Sequence, residues 1–305
     1  MIKDIKVRNL DEIRLQIEKI RQIDLKVVDF LDIYKEVNVL LNGYTIVQFP
    51  GYQFIIYRAR INESRKLFKA ASDLWAPKSK EMSENRFGRA NKPQDPVFYC
   101  SNNEEIAVSE LPIKVGDWIT IMRCCSRGDL FAMKSVGLGF KDEVVLKSKD
   151  GTNSLKWGDY KEEKIRKLYI KHHGNDTIAQ ECLLKNKLID EFLNLEFRKE
   201  IHSNEYNYEY KITAAIASLY LDSNPLSSVR MDAISYPSIR DDQSAGPNWA
   251  FTIEAASKFY KCDSFETVEI GKIEKNGKST NYYGNVRFKS DQISSSGDII
   301  WDKFK

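Results

Sequence analysis

Apolar positions in the first forty residues recur every three or four places. Leu10, Ile13, Ile17 and Ile20 form one row, and Val28, Leu31, Tyr34, Val37 and Leu41 form another, with charged residues between. This is the helical period, and it predicts two amphipathic helices across residues 9–42, the second capped by Asp24. Asn42-Gly43 ends the pattern. The next run, TIVQFPGYQFIIYRAR, is rich in β-branched and aromatic residues and predicts strands around a Pro50-Gly51 turn. Residues 62–96 carry Pro77, Pro93 and Pro96 without sustained periodicity, so loops are expected there, with a short helix near 64–73. PVFYCS predicts a strand. NNEEIAVSEL predicts a helix with Asn102 or Asn103 as N-cap and Glu104 and Glu105 in its first turn.

Further along, 117–140 is strand material, and the polar, lysine-rich stretch 141–165 is expected as a surface excursion. Helices are expected near 177–203 and 207–222. VRMDAISYPSIR predicts a strand, and WAFTIEAASKFY permits strand or helix. ETVEIGKIEK and NYYGNVRFK predict a hairpin about Asn276-Gly277.

The chain has 305 residues, 42% hydrophobic and 30% charged, which places it among globular proteins. Forty-seven basic side chains against 44 acidic ones leave a formal charge of +3, too weak a field to argue for direct nucleic-acid binding. The lysines of 141–168 alternate with acids, as on a solvated face. No run of eighteen apolar residues occurs, and the opening MIKDIKVRNLDEIR lacks the apolar stretch of a secretory signal, so a cytoplasmic location is expected. The cysteines at 100, 124, 125, 182 and 262 fit neither a disulfide framework nor a zinc site and are read as free thiols.

No phosphate loop, dinucleotide glycine fingerprint, His-Glu-x-x-His or Gly-x-Ser-x-Gly occurs. The chemistry is carried instead by short blocks in order: Tyr57-Arg58, Gly88-Arg89-Ala90-Asn91-Lys92-Pro93, Val97-Phe98-Tyr99-Cys100-Ser101, Ile106-Ala107-Val108-Ser109-Glu110, and Ile234-Ser235-Tyr236-Pro237-Ser238-Ile239-Arg240. Arginine forks match phosphate oxygens bidentately. A carboxylate stabilises a ribosyl cation or orients its nucleophile. A tyrosine offers a flat face to an aromatic ring together with a hydroxyl. A helix C-terminus, where Glu110 falls, is an unfavourable place for an acid.

In order and spacing these blocks resemble the RES-domain family, with Asn248 and the apolar run after it extending the match. The resemblance covers about half the chain. It implies an α+β fold like that of ADP-ribosyltransferases, with split, mostly antiparallel sheets, surrounding helices and an N-terminal helical extension. It implies cleavage of NAD at the nicotinamide–ribose bond, by hydrolysis, phosphorolysis or ADP-ribosyl transfer. NAD would be substrate, no metal would be required, and a helix-turn-helix antitoxin would be the protein partner. The family's functional Arg, Tyr, Glu and Ser fall on Arg89, Tyr99, Glu110 and Ser238. Arg58, Arg89, Tyr99, Ser238 and Asn91 are the expected NAD contacts, with Tyr236 and Arg240 in reserve. Where the family loop has Trp this chain has Ala90, so Phe87 or Trp75 is expected to supply the aromatic. Residues 1–45 are expected as a helical extension and 46–305 as the NAD-binding domain, with a middle insertion over about 112–205.

Overall fold

A computed structural model describes residues 8–44, 48–50, 55–79, 82, 84–128, 132–138, 141–147, 153–159, 167, 170–171, 174, 176–201, 207–222, 231–239, 247–276 and 279–303. The fold is α+β. Helix α1 (Leu10–Arg21) begins at a capping box in which the Asn9 side chain accepts from the Glu12 amide at 2.7 Å and the Glu12 carboxylate accepts from the Asn9 amide at 3.1 Å. Helix α2 (Phe30–Leu41) starts later than its apolar row suggests. Asp24 closes a separate turn instead, accepting through its main-chain oxygen from Val27 and Val28.

Ten strands form one sheet in the order β1 (Gln48–Pro50), β5 (Ala132–Ser135), β8 (Ala233–Tyr236), β9 (Asn248–Thr252), β3 (Val97–Ser101), β2 (Ile55–Ile61), β4 (Trp118–Ser126), β10 (Tyr260–Asn276), β11 (Ser279–Ser290) and β12 (Asp302–Lys303). Among the described residues only the β5–β8 contact is parallel. The expected strands around Pro50-Gly51 do not pair with each other. β1 lies at the sheet edge, where Pro50 needs no ladder N–H, and β2 lies in the middle.

The expected pair of split sheets is a single sheet here, with its weakest junction, a seam, between β2 and β3. Every other long neighbour pair in the centre of the sheet shares an extended ladder, as β2 and β4 do from Ile55 to Ile61. Between β2 and β3 only Tyr57 and Ser101 pair. The sheet thus has five strands on each side of this single residue pair. Helix α3 (Ala71–Leu74) follows β2 in the chain, and helix α4 (Glu104–Ser109) packs against both seam strands. Its N-cap is Asn103, which accepts from the Glu105 amide at 2.7 Å, and its C-cap is Glu110.

Strands β8 and β9 are buried on both faces, which explains their unbroken apolar runs. On one face Ile234 and Ala250 join a core formed with α1, α2, α5 (Asp176–Phe197) and α6 (Lys211–Leu221). On the other, Ala233, Trp249 and Phe251 pack with Phe98 and with helix α7 (Ile253–Phe259). WAFTIEAASKFY therefore holds both the strand and the helix that its pattern permitted.

Neither expected appendage is separate. Helices α1 and α2 bury Ile13, Ile17, Ile20, Ile33, Val37 and Leu40 in the main core, because α1 packs on α2 and α5 while α2 packs on α6. The span 112–205 supplies β4, β5 and α5, all integral. Within it, β6 (Lys141–Lys147) and β7 (Asn153–Asp159) form a two-stranded ladder of their own. Helix α5 is fastened to the turn after β5 at Gly137, whose amide donates to Asp190 at 3.1 Å and whose carbonyl accepts from Asn194 at 2.6 Å. Gly137 has φ +66°, and a Cβ there would sit 2.5 Å from the Asn194 amide nitrogen, so no other residue fits. Tyr44 reaches the same Asp190 oxygen at 2.6 Å.

Candidate active site

A cavity of about 610 Å³ opens at the seam. Strand β2 brings Arg58 and Arg60 to it, the loop before β3 brings Arg86 and Arg89, β3 brings Tyr99 and Ser101, and α4 brings Glu110. Tyr236 from β8 and Asn248 from β9 complete the wall on that side. Residues scattered over nearly two hundred positions are thereby brought together.

Glu110 is the best-positioned of them. Its Oε1 accepts from the Ser238 hydroxyl and from Asn248 Nδ2 at 2.7 Å. Asn248 is itself oriented by Ser101, whose hydroxyl donates to Asn248 Oδ1 at 2.7 Å. Ser101 and Asn248 face each other across the β3–β9 ladder, and Ser101 is also the β3 residue that pairs across the seam. Two donors on one oxygen fix the carboxylate in a single orientation. No hydrogen bond reaches Oε2 from the described residues.

Arg89 is buried. Its Nη1 donates to the Phe197 carbonyl at the end of α5, its Nη2 to the Tyr210 hydroxyl at 3.2 Å, and the guanidinium lies 5.0 Å from the Tyr210 ring centre. Arg58 donates from Nε to the Leu74 carbonyl and from Nη1 to the Tyr99 carbonyl, each at 2.8 Å, over the face of Phe98. Burial, and after it the neighbouring Arg60 charge, pull Arg58 down to about 10, so it stays cationic at neutral pH. Carbonyl oxygens and rings orient both guanidiniums, but no carboxylate neutralises either one among the described residues. Among the described residues, four arginines line the cavity against two carboxylates, Glu110 and Glu200. Arg58 and Arg89, without a carboxylate partner among the described residues, favour an anionic occupant of the cavity.

Tyr99 presents its ring to the cavity, but its hydroxyl is already engaged. It donates to Asn91 Oδ1 at 2.8 Å and accepts from the Ala90 amide at 2.7 Å. Burial pushes its ionisation far above the ordinary range, so it is a neutral group. These bonds pin the Arg89 loop to β3, and the loop itself is closed by Gly88 and Asn91, with the Gly88 amide donating to the Asn91 carbonyl at 2.9 Å.

Three expectations are therefore relocated. Asn91, expected to touch NAD, is buried in the loop and spends its side chain on Tyr99 and on the Lys92 carbonyl. Ser238, expected to bond the substrate, is buried behind Glu110 and does not line the cavity. Phe87 and Trp75, expected to replace the family's loop aromatic, pack instead on Phe30 and on Phe98. Arg240 lies outside the described residues. Ser101 and Tyr210 were not singled out by sequence. Ser101 left one trace, a polar residue closing an otherwise apolar buried strand, as Asn248 opens its own.

No protein-family model, curated protein or solved structure matches this chain. Among the described residues no helix is long and apolar enough to cross a membrane.

Proposed function

We propose that this chain is an NAD-consuming enzyme of the RES-domain kind, which binds NAD in the seam cavity and breaks the bond between nicotinamide and ribose. The observation that carries the reading is the pairing of one oriented carboxylate, Glu110, with two arginines that lack acidic partners among the described residues, the half-buried Arg58 and the buried Arg89, in one cavity. NAD offers what that arrangement needs: a pyrophosphate for the cations and a sugar carbon that becomes positive as the bond breaks. The cavity volume lies within the range of small-ligand sites. The seam between two half-sheets is the feature that supports an ADP-ribosyltransferase-like fold.

In this reading the arginines take the phosphate oxygens, Arg89 through the donor capacity left after Phe197 and Tyr210. The Tyr99 ring forms a wall against the nicotinamide end. As the glycosidic bond lengthens, its electron pair returns to the pyridinium ring, so nicotinamide leaves neutral and the ribose carbon carries the charge. Glu110 Oε2 stabilises that cation or holds the attacking nucleophile, while Ser238 and Asn248 keep the carboxylate aimed. Water, phosphate or a protein side chain completes the step. A helix-turn-helix antitoxin that covers the cleft is the corresponding partner.

Purified full-length protein incubated with NAD should release nicotinamide. Glu110→Gln should lower the rate about a hundred- to a thousandfold, the usual consequence of removing one preorganised charge contact. No release by the wild type, or equal release by the variant, overturns the enzyme reading. Calorimetric binding of NAD without release selects a non-catalytic NAD- or ADP-ribose-binding module.

A further inference from the structure

All five cysteines are free, and two of them face each other. In the antiparallel register of β4 and β10, Cys124 stands directly opposite Cys262, with the sulfur atoms 3.7 Å apart. The register shifts immediately afterwards, between Cys262 and Ser264, so Asp263 is the extra residue of a bulge. A bulge beside the pair gives the strands local freedom to close the gap to the roughly 2.05 Å of an S–S bond. The two thiols differ in access. Cys124 is fully buried, whereas Cys262 is partly exposed.

The other thiols are occupied or shielded. Cys125 donates to the Asp263 carboxylate at 2.8 Å, which together with burial keeps it protonated. Cys100 is buried, and burial pushes its thiol up as well.

We propose that Cys124 and Cys262 form an oxidation site, a thiol pair that closes to a cross-strand disulfide when the folded protein meets a hydroperoxide. Cys262 is the attacking sulfur. The hydrogen bond from Cys124 lowers its ionisation below the ordinary thiol value, and Arg127 adds to the effect. Its thiolate takes the terminal oxygen of the hydroperoxide, the O–O bond breaks, and the alkoxide or hydroxide leaves with a proton from solvent. The product is a sulfenic acid at Cys262. Cys124 then attacks that sulfur, the S–S bond forms, the S–O bond breaks, and water leaves carrying the Cys124 proton. Two thiols are oxidised and one hydroperoxide is reduced to alcohol or water. The bridge lies between strands beside β2, because Cys124 pairs with Ile56 and Arg58 lies two residues further along. It would staple the half-sheet that carries this cleft arginine.

Folded full-length protein treated with one equivalent of hydrogen peroxide, alkylated, and digested without reduction should yield a peptide linking residues 124 and 262. Two of the five thiols should vanish, and dithiothreitol should restore both. Cys125→Ser should still form the link, and the partly exposed Cys262→Ser should abolish it while leaving its four thiols titratable. A wild-type protein that stays fully reduced, that links Cys125 or Cys100 instead, or that stops at a sulfinic acid on Cys262 without a link overturns the proposal.

Discussion

At Glu110 two neutral donors converge on one carboxylate oxygen, and this asymmetry distinguishes the roles of its neighbours. Ser238 touches the carboxylate but not the cavity, so Ser238→Ala removes aim and not a ligand contact. A hydrogen bond to a charged group is worth about 1.5–3 kcal/mol, so kcat for nicotinamide release should fall roughly ten- to a hundredfold while KM changes little. A rise in KM at constant kcat would return Ser238 to the substrate. Lys134 poses a different problem at the same scale. Its ammonium is buried among rings, 4.9 Å from the Tyr220 centre and 6.0 Å from that of Tyr44, with no carboxylate against it among the described residues, and burial pulls it down to about 8. The folded value lies below the unfolded one, so the unfolded chain binds more protons between pH 8 and about 10.5, and stability rises with pH across that window. At pH 7 the penalty is present in full, on the order of 3 kcal/mol. Lys134→Met should therefore stabilise the protein in urea at pH 7 and gain little at pH 11; equal gains at both would show that the charge is not the cause. Arg89 and Glu110 were singled out in the sequence by the order and spacing of their blocks, and Glu110 also by its unfavourable place at a helix C-terminus. The burial of Lys134 was not evident there, since its cage comes from Tyr44 and Tyr220, both far from it in the chain.

The loop that carries Arg89 is built around a close approach that only glycine permits. A Cβ on Gly88 would lie 2.1 Å from Asn91 Oδ1 and 3.0 Å from the Tyr99 hydroxyl, so Gly88→Ala forces apart the bonds that hold the loop to β3. Overpacking of this kind costs about 1–3 kcal/mol, and Arg89, the next residue, would lose its place over Tyr210. Nicotinamide release should drop at least as far as in Arg89→Lys, with a lowered thermal midpoint; unchanged release would mean that the loop does not set the arginine. Elements with a strong local period, such as α1, β3, α4 and the β10–β11 hairpin, were readable in advance. Pairing was not, because β1 and β2 are neighbours in sequence yet lie at the edge and centre of the sheet. Nothing local in the chain encodes the seam, since Tyr57 and Ser101, the one pair across it, are far apart in sequence.

At the scale of the whole molecule, the N-terminal helices decide whether the cleft exists at all. An extension that merely decorated the domain could be removed without harm. Here eight apolar side chains between Ile13 and Leu41 are buried against α5, α6 and the sheet. At roughly 1.5–3 kcal/mol for each fully buried side chain, their gross contribution equals or exceeds the net stability of about 5–15 kcal/mol typical of a folded protein. The end of α5 and the turn at 208–210 are also what hold Arg89, through Phe197 and Tyr210. Residues 45–305 expressed alone should therefore lack a cooperative thermal transition, elute as aggregate and neither bind NAD nor release nicotinamide. Replacing the β6–β7 ladder by a short glycine-serine link should behave in the opposite way, keeping a sharp transition and wild-type turnover, because that ladder pairs only with itself. Circular dichroism melts and nicotinamide release on the two truncations separate the alternatives: a folded, active 45–305 fragment would make the helices an appendage after all and would move the origin of the cleft to the sheet alone.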